Sequence, residues 1–329
     1  MVSVQLNLVN GTTFYAGDVM KGIVHLCFSD STEVKELYIE ITGIYCNEAT
    51  NKPKITKQSE TFLHSKIQIF KLQEPETISG HLDQQFEYKL SHKLPQTSIV
   101  HNIHYYCSVF LATSSKIENV SGQSFEVKRL DDLNWLPVLR QPMYRRETKT
   151  YRSITLGTQS ITLSAITPNS GYAIMLAVPV KVIVSNESSL KIESLEFQLE
   201  EWKEVYSNDK KVDTKIIVLS SSKTPGIGAY ETKEIYKCIS IPHRTNLSEL
   251  NYIKMIKIKH FLRITGRVSG VHENLCVILP LVMGTIPLRG ELEHFDFEVP
   301  DDTEYRKHLM YVYKSPTVSE AFKNFLNIL

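Results

Sequence analysis

Two groups of basic residues are the parts of this sequence best suited to bind a ligand. Lys257, Lys259 and Arg263 alternate with apolar residues, so in a strand they would share one solvent-facing side. A second group crowds a proline-containing stretch and consists of Arg145, Arg146, Lys149 and Arg152. Ammonium and guanidinium groups bind phosphorylated peptides and acidic lipid headgroups. The alternative for both groups is plain solvation, because surface Lys and Arg need no partner.

Catalytic signatures are absent from the sequence, which contains no G-x-S-x-G, H-E-x-x-H, Walker or G-x-G-x-x-G pattern. His101 and His104 are three positions apart, which in a strand places their rings on opposite faces, unsuited to one metal ion. His260 falls on the apolar side of its strand, where a hydrogen-bonded core or rim histidine is expected. Carboxylates between positions 196 and 201 are typical of a wet strand face. The sequence therefore predicts a non-enzymatic protein without cofactor or metal.

Charge and cysteine content limit the partners and the compartment. The 329 residues include 37 Lys and Arg against 36 Asp and Glu, so no overall positive field exists to hold a nucleic acid. The 5 cysteines are scattered and form no C-x-x-C pair, which is typical of a reducing compartment. The N-terminus has neither a basic start nor a long apolar core, so no secretory signal is expected. These features favour a cytosolic protein that binds no nucleic acid.

Strand periodicity dominates the chain. Apolar residues alternate with polar ones in the runs 24–28, 37–41, 103–111, 176–184 and 256–264. Turn pairs such as Asn10-Gly11 and Pro225-Gly226 separate such runs at short intervals, as in antiparallel sandwiches. The segment 189–206 has strand period but also fits a helical stripe, and its β-rich surroundings favour the strand. The predicted fold class is all-β.

Length and local composition predict two domains and a tail. A chain of 329 residues corresponds to about two domains, and the aperiodic, proline-containing stretch 133–152 is the best candidate boundary. We predict domains at 1–148 and 149–300, each of sandwich size. The tail 301–329 should contain a short amphipathic helix, either autoinhibitory or partner-binding, whose apolar stripe includes Val318, Phe322, Phe325 and Leu326.

Several motifs follow one another in an order known from one family. The first half contains FYAGDVMKGIVHL, KELYIEITGIY, FEYKLSHKLPQTSI, IHYYCSVFL and FEVKRLDDLN. The second half contains ITLSAITPNSGYA, IKIKHFLRITGRV and the uncharged run CVILPLVMGTIPL. Together they resemble the arrestin family, specifically its α-arrestin (arrestin-domain-containing) branch, and the last run resembles that family's closing strand. The resemblance implies two tandem immunoglobulin-like antiparallel β-sandwiches. Residue chemistry agrees with it, since Gly284 permits close backbone approach and Pro280 and Pro287 restrict the strand to an edge or bulged setting.

The resemblance also implies a function. Arrestin-like adaptors bind the cytoplasmic tails of membrane proteins or receptors and link them to sorting machinery, ubiquitin ligases or coats. We therefore expect a cytoplasmic adaptor in trafficking, endocytosis or signalling, peripherally associated with the plasma membrane or endosomes, with an anionic lipid surface as a further partner. The sequence contains no Pro-Pro pair, so it lacks the Pro-Pro-x-Tyr motif by which family members recruit ubiquitin ligases.

Two other functions fit the same sequence pattern. A structural subunit of a retromer-like endosomal coat has the same arrestin-type architecture. A β-sandwich enzyme acting on carbohydrate would instead need two carboxylates within about 10 Å in a cleft.

Overall fold

A computed structural model of the protein describes residues 2–46, 59–153, 157–248 and 253–289. The predicted amphipathic helix with Val318, Phe322, Phe325 and Leu326 lies outside these residues, as does the whole predicted tail 301–329.

Strands account for nearly all the secondary structure of the described residues. They are β1 (Val2–Leu8), β2 (Thr13–Tyr15), β3 (Val19–Cys46), β4 (Ser59–Lys89), β5 (Ile103–Ala112), β6 (Ile117–Lys128), β7 (Met143–Ser153), β8 (Gly157–Thr167), β9 (Gly171–Ala173), β10 (Ala177–Glu187), β11 (Ile192–Ser207), β12 (Lys210–Ile227), β13 (Thr232–Ser240), β14 (Ile256–Val268) and β15 (Leu275–Gly284). Two short 3-10 helices span Leu133–Trp135 and Pro137–Arg140. The predicted all-β class is confirmed, and most of the ambiguous segment 189–206 lies in the strand Ile192–Ser207.

The described residues divide into two compact units. Unit 1 takes in those of Met1–Leu130, Glu204–Thr214 and Glu249–Lys257; unit 2 takes in those of Asp131–Lys203, Lys215–Ser248 and Ile258–Leu329. The tip of the β11–β12 hairpin thus belongs to unit 1. The predicted boundary at 148 differs from this division because β7 pairs with β8 over its whole length, which places residues 143–153 in unit 2.

Unit 1 is organised around two very long strands, β3 and β4. The first half of β3 pairs with β1 and with the second half of β4. Its second half pairs with β5 and with the first half of β4. A register shift between Phe28 and Thr32 marks the change from one half to the other. Buried side chains of both halves, such as Leu26 and Ile39, lie in one apolar core.

Unit 2 is a two-layer sandwich. One sheet has the strand order β13-β10-β8-β7 and the other the order β12-β11-β14-β15-β9. Alternate residues of both sheets enter one core; Val180 and Leu163 come from the first sheet, and Phe197, Leu262 and Leu279 come from the second. The alternation in the sequence therefore marks the inner and outer faces of each sheet.

A short rigid turn, residues 132–141, stands next to the end of β15 and is called the Trp135 turn below. Leu133 and Leu139 anchor it in a small apolar cluster with Leu288. The predicted close approach at Gly284 is confirmed, since a Cβ there would lie 2.6 Å from the Leu133 side chain. The Asp132 carboxylate caps the first 3-10 helix by accepting a hydrogen bond from the backbone nitrogen of Asn134 at 2.9 Å.

Candidate functional site

Arg263, the centre of the predicted anion site on β14, is already engaged by an acidic neighbour. Its Nε donates to Glu200 Oε1 at 2.7 Å, and Nη1 lies 3.2 Å from Cys276 Sγ. The side chain of Glu200 is only 5% exposed and that of Arg263 is 24% exposed. The hydrogen bond to Glu200 is the main cause of a raised pKa of Arg263, so the cation is permanent. Its charge is shared with Glu200 and is not available in full to an external anion.

The same pairing recurs along the outer face of the β11 and β14 strands within unit 2. Arg267 Nη2 donates to Glu196 Oε2 at 2.9 Å. Trp202 Nε1 donates to Glu200 Oε2 at 2.8 Å, and its ring lies 4.5 Å from that of Phe261. Acidic residues of β11 therefore neutralise basic residues of β14. Two of the carboxylates that the sequence indicated as a wet strand face, Glu196 and Glu200, form ion pairs with Arg267 and Arg263, and Glu200 is buried.

The two lysines of the predicted site are exposed but do not belong to the same unit. Lys257 lies in unit 1, where its Nζ stands 4.8 Å from the centre of the Tyr206 ring. Lys259 belongs to unit 2. An anion site at Lys257, Lys259 and Arg263 remains a prediction, but a charge reversal at Arg263 would also break the ion pair with Glu200, so it would not test binding alone.

The second basic group lies on β7, an edge strand of unit 2, which corrects its predicted position in an irregular stretch between domains. Arg145, Arg146 and Arg152 are exposed, and none of them forms an ion pair with another described residue. Lys149 differs, because its Nζ donates to Glu273 at 2.8 Å. That hydrogen bond is the main cause of a raised pKa of Lys149 and of a lowered pKa of Glu273.

The periodicity of β7 is hidden because its core-facing side chains are polar. Glu147 Oε2 accepts a hydrogen bond from the backbone nitrogen of Cys276 at 2.6 Å, and Tyr151 Oη donates to the Glu273 carbonyl at 3.1 Å. These bonds tie the edge strand to β15 and to the residues just before it. The guanidinium groups of Arg145, Arg146 and Arg152 have no carboxylate partner among the described residues.

His260 is a hydrogen-bonded core histidine, as predicted. The ring is 1% exposed, with Nδ1 at 2.9 Å from Ser248 Oγ and Nε2 at 3.4 Å from Glu201 Oε2. Glu201, also 1% exposed, accepts a hydrogen bond from Asn246 Nδ2 at 3.0 Å. The prediction of a wet strand face is wrong for Glu201, which lies on the core side of β11, and the buried network was therefore not recognised in the sequence.

Serine, histidine and glutamate in one network raise the question of nucleophilic catalysis. The Oγ of Ser248 accepts the backbone N–H of Met283 at 2.7 Å and lies 2.9 Å from His260 Nδ1, while Nε2 faces Glu201. His260 is fully enclosed in the core. A substrate has no path to a general base in that position, so the network fastens the segment 245–248 to the sheet.

Metal ligation has no support among the residues that the structure covers. No group of three or more His, Cys, Asp and Glu side chains in the described ranges is arranged to hold a metal ion. His101 lies buried in the turn before β5, whereas His104 is a half-buried residue of β5.

Pro280 occupies a strand position with a single neighbour, as predicted. It pairs with Phe261 of β14, while β9 joins the other side of β15 only at Val282–Gly284. The missing N–H of proline is tolerated there because no ladder bond is needed on that side.

Comparison with known proteins relates this sandwich to a family. Residues 158–288 match the arrestin (or S-antigen) C-terminal domain. Over this segment the chain is similar to that domain. It includes β8 to β15, and so contains both sheets of unit 2 except β7. The match supports membership of the arrestin family and, with it, the predicted arrestin fold.

Two further findings accompany the match. No curated protein was found to be similar to the chain. Among the described residues, no helix has the length and apolar character needed to cross a membrane. The arrestin C-terminal domain indicates an adaptor-type role in general.

Proposed function

We propose that this protein is a non-enzymatic adaptor of the α-arrestin branch. It binds the cytoplasmic tails of membrane proteins or receptors and connects them to sorting machinery at the plasma membrane or endosomes. Its partners are acidic or phosphorylated tails, coat components and ubiquitin ligases recruited without Pro-Pro-x-Tyr. The arrestin C-terminal domain at 158–288 is the observation that supports this proposal.

The tail-binding surface is the edge strand β7, where Arg146 and Arg152 lie on the outer face of the sheet and the exposed Arg145 lies on the opposite face. Its three guanidinium groups, from Arg145, Arg146 and Arg152, have no carboxylate neighbour among the described residues. Arginine binds phosphate and carboxylate with two parallel hydrogen bonds, which suits phosphorylated and acidic peptides. The edge position of β7 also allows an extended peptide to lie alongside the strand.

Binding of tail peptides in solution tests this proposal without any membrane. We expect acidic or phosphorylated peptides to bind the wild-type protein, and the triple variant R145E/R146E/R152E to lose at least tenfold in affinity. The matched control, K210E/K215E/K223E, makes the same charge change at exposed lysines of β12 and should bind normally. An equal loss of peptide affinity in both variants would mean that binding depends only on the net charge of the protein. Unchanged peptide affinity in the β7 variant would refute the assignment.

Affinity purification from the native cell tests the adaptor role itself. Substoichiometric membrane proteins in the eluate are the expected result. A stoichiometric partner at every purification step would overturn the proposal in favour of a coat subunit.

A further inference from the structure

The Trp135 turn exposes apolar side chains in an unusual way. Trp135 is 82% exposed, Val138 59% and Leu136 45%, all within four positions of one rigid turn. The other tryptophan, Trp202, is instead packed against Phe261. Neighbouring exposed apolar residues on a soluble domain mark a contact surface, whereas single ones need no explanation.

The turn is held together by hydrogen bonds among its own backbone groups. Trp135 N donates to Asp132 O at 3.3 Å, and Leu136 N donates to Leu133 O at 3.2 Å. Farther along, Leu139 N donates to Leu136 O at 2.9 Å. The indole Nε1 donates to Asp132 Oδ2 at 3.2 Å, which holds the ring outward. A segment with paired backbone groups can enter an apolar medium without the large cost of unsatisfied N–H groups.

Arginines lie at the end of the turn and just after it in the chain. Arg140 donates to Asn134 Oδ1 at 2.6 Å and to the Arg289 carbonyl at 2.9 Å, and its guanidinium has no carboxylate partner in the described ranges. The exposed Arg145 and Arg146 follow within the same unit at the start of β7. Asp132 is the acidic residue of the turn, and its two oxygens are occupied by Asn134 and the indole.

Tryptophan with aliphatic neighbours and unpaired arginines is the combination that proteins place at the membrane interface. The indole has an apolar body and a polar N–H, and the arginines attract anionic headgroups near the surface. A turn held by its own hydrogen bonds also loses little conformational freedom on docking. We propose that the Trp135 turn inserts into the interface of a bilayer that contains anionic lipid, with Trp135, Leu136 and Val138 as the inserting residues.

Vesicle binding of the full chain tests the insertion, with phosphatidylserine/phosphatidylcholine vesicles as the probe. Burying a large apolar side chain is worth about 1.5–3 kcal/mol, so Trp135→Ala should weaken partitioning about tenfold or more. Val138→Ser should weaken it less. The matched control Val271→Ser removes the same group from a fully exposed position of unit 2 and should bind normally. Equal binding by Trp135→Ala and wild type, or no vesicle binding at all, would overturn the proposal.

Fluorescence gives a readout that a merely structural effect would not produce. In a Trp202→Phe background, Trp135 is the sole tryptophan, and we expect its emission to shift to the blue on vesicle addition and to be quenched by lipids brominated in the acyl chain. Pure phosphatidylcholine vesicles should bind less well. Vesicle binding without quenching would place Trp135 outside the bilayer and overturn the insertion. Tail-peptide binding is measured without lipid, so failure of this inference is distinct from failure of the proposed function.

Discussion

Gly284→Ala should destabilise unit 2 through one identified clash. The added Cβ would lie 2.6 Å from Leu133 Cδ2, which is about 0.8 Å closer than the 3.4 Å at which ordinary contact begins. It would also lie 2.9 Å from the Asp131 carbonyl oxygen. That oxygen cannot move away freely, because it accepts the N–H groups of Thr285 at 2.9 Å and Ile286 at 3.1 Å.

The expected magnitude is that of an overpacked core. Insertion of a methyl group into a well-packed site costs about 1–3 kcal/mol. For a domain of this size each kcal/mol lowers Tm by about 2–4 °C, so a fall of about 2–12 °C is expected. Gly266→Ala is the matched control, since its Cβ would meet Leu195 at an ordinary 3.4 Å. Gly266→Ala should change the free energy of unfolding by less than about 1 kcal/mol. The change is stabilising if the entropy that alanine removes from the unfolded chain dominates.

Thermal and urea unfolding followed by near-ultraviolet circular dichroism would measure both variants. A double variant that adds Leu133→Ala to Gly284→Ala should be less destabilised than the sum of the single changes, because the clash has gone. The reasoning would be refuted if Gly284→Ala were as stable as Gly266→Ala, or if the double variant were strictly additive.

Three other expectations follow from the described contacts. His260→Leu should cost about 1–3 kcal/mol, because Glu201 and a buried hydroxyl lose a partner; an unchanged urea midpoint would contradict this. Arg263→Glu should lower stability by more than about 1 kcal/mol by placing a second carboxylate against Glu200, and a Tm equal to that of wild type would show that the ion pair is dispensable. Burial raises the pKa of Cys107 to about 12, so iodoacetamide at pH 8 should modify it more slowly than the four half-buried cysteines; mass spectrometry would detect this order, and equal rates in the native protein would argue against it.

The sequence predicted strands well wherever one face of a strand meets the core. The alternating runs 103–111 and 256–264 correspond to Ile103–Ala112 and Ile256–Val268. Their inner residues lie at or below 5% exposure, for example Val109 and Leu262 at 0%. The alternating pattern reflects the burial of every second side chain. Such strands can therefore be predicted without knowing which strands they pair with.

The sequence did not predict ion pairs between residues that only the order of strands in a sheet brings together. Arg263 and Glu200 are far apart in the chain, and only the adjacency of β11 and β14 brings them to 2.7 Å. The edge strand β7 was not predicted, for a related reason. Its inner residue Glu147 accepts a hydrogen bond from a neighbouring backbone nitrogen instead of packing into the core, so the strand lacks the apolar alternation. Nothing in the local pattern indicated that Trp135 would remain exposed, because the apolar residues around it suggest burial.

The continuity of β3 and β4 has a consequence for how unit 1 opens. Each strand contributes to both halves of the unit, and their side chains share one core. If one half detached, it would expose side chains of the core that it shares with the other half. Amide protons of β1 and β5, at opposite ends of this arrangement, should therefore exchange with solvent through a single concerted event of common free energy.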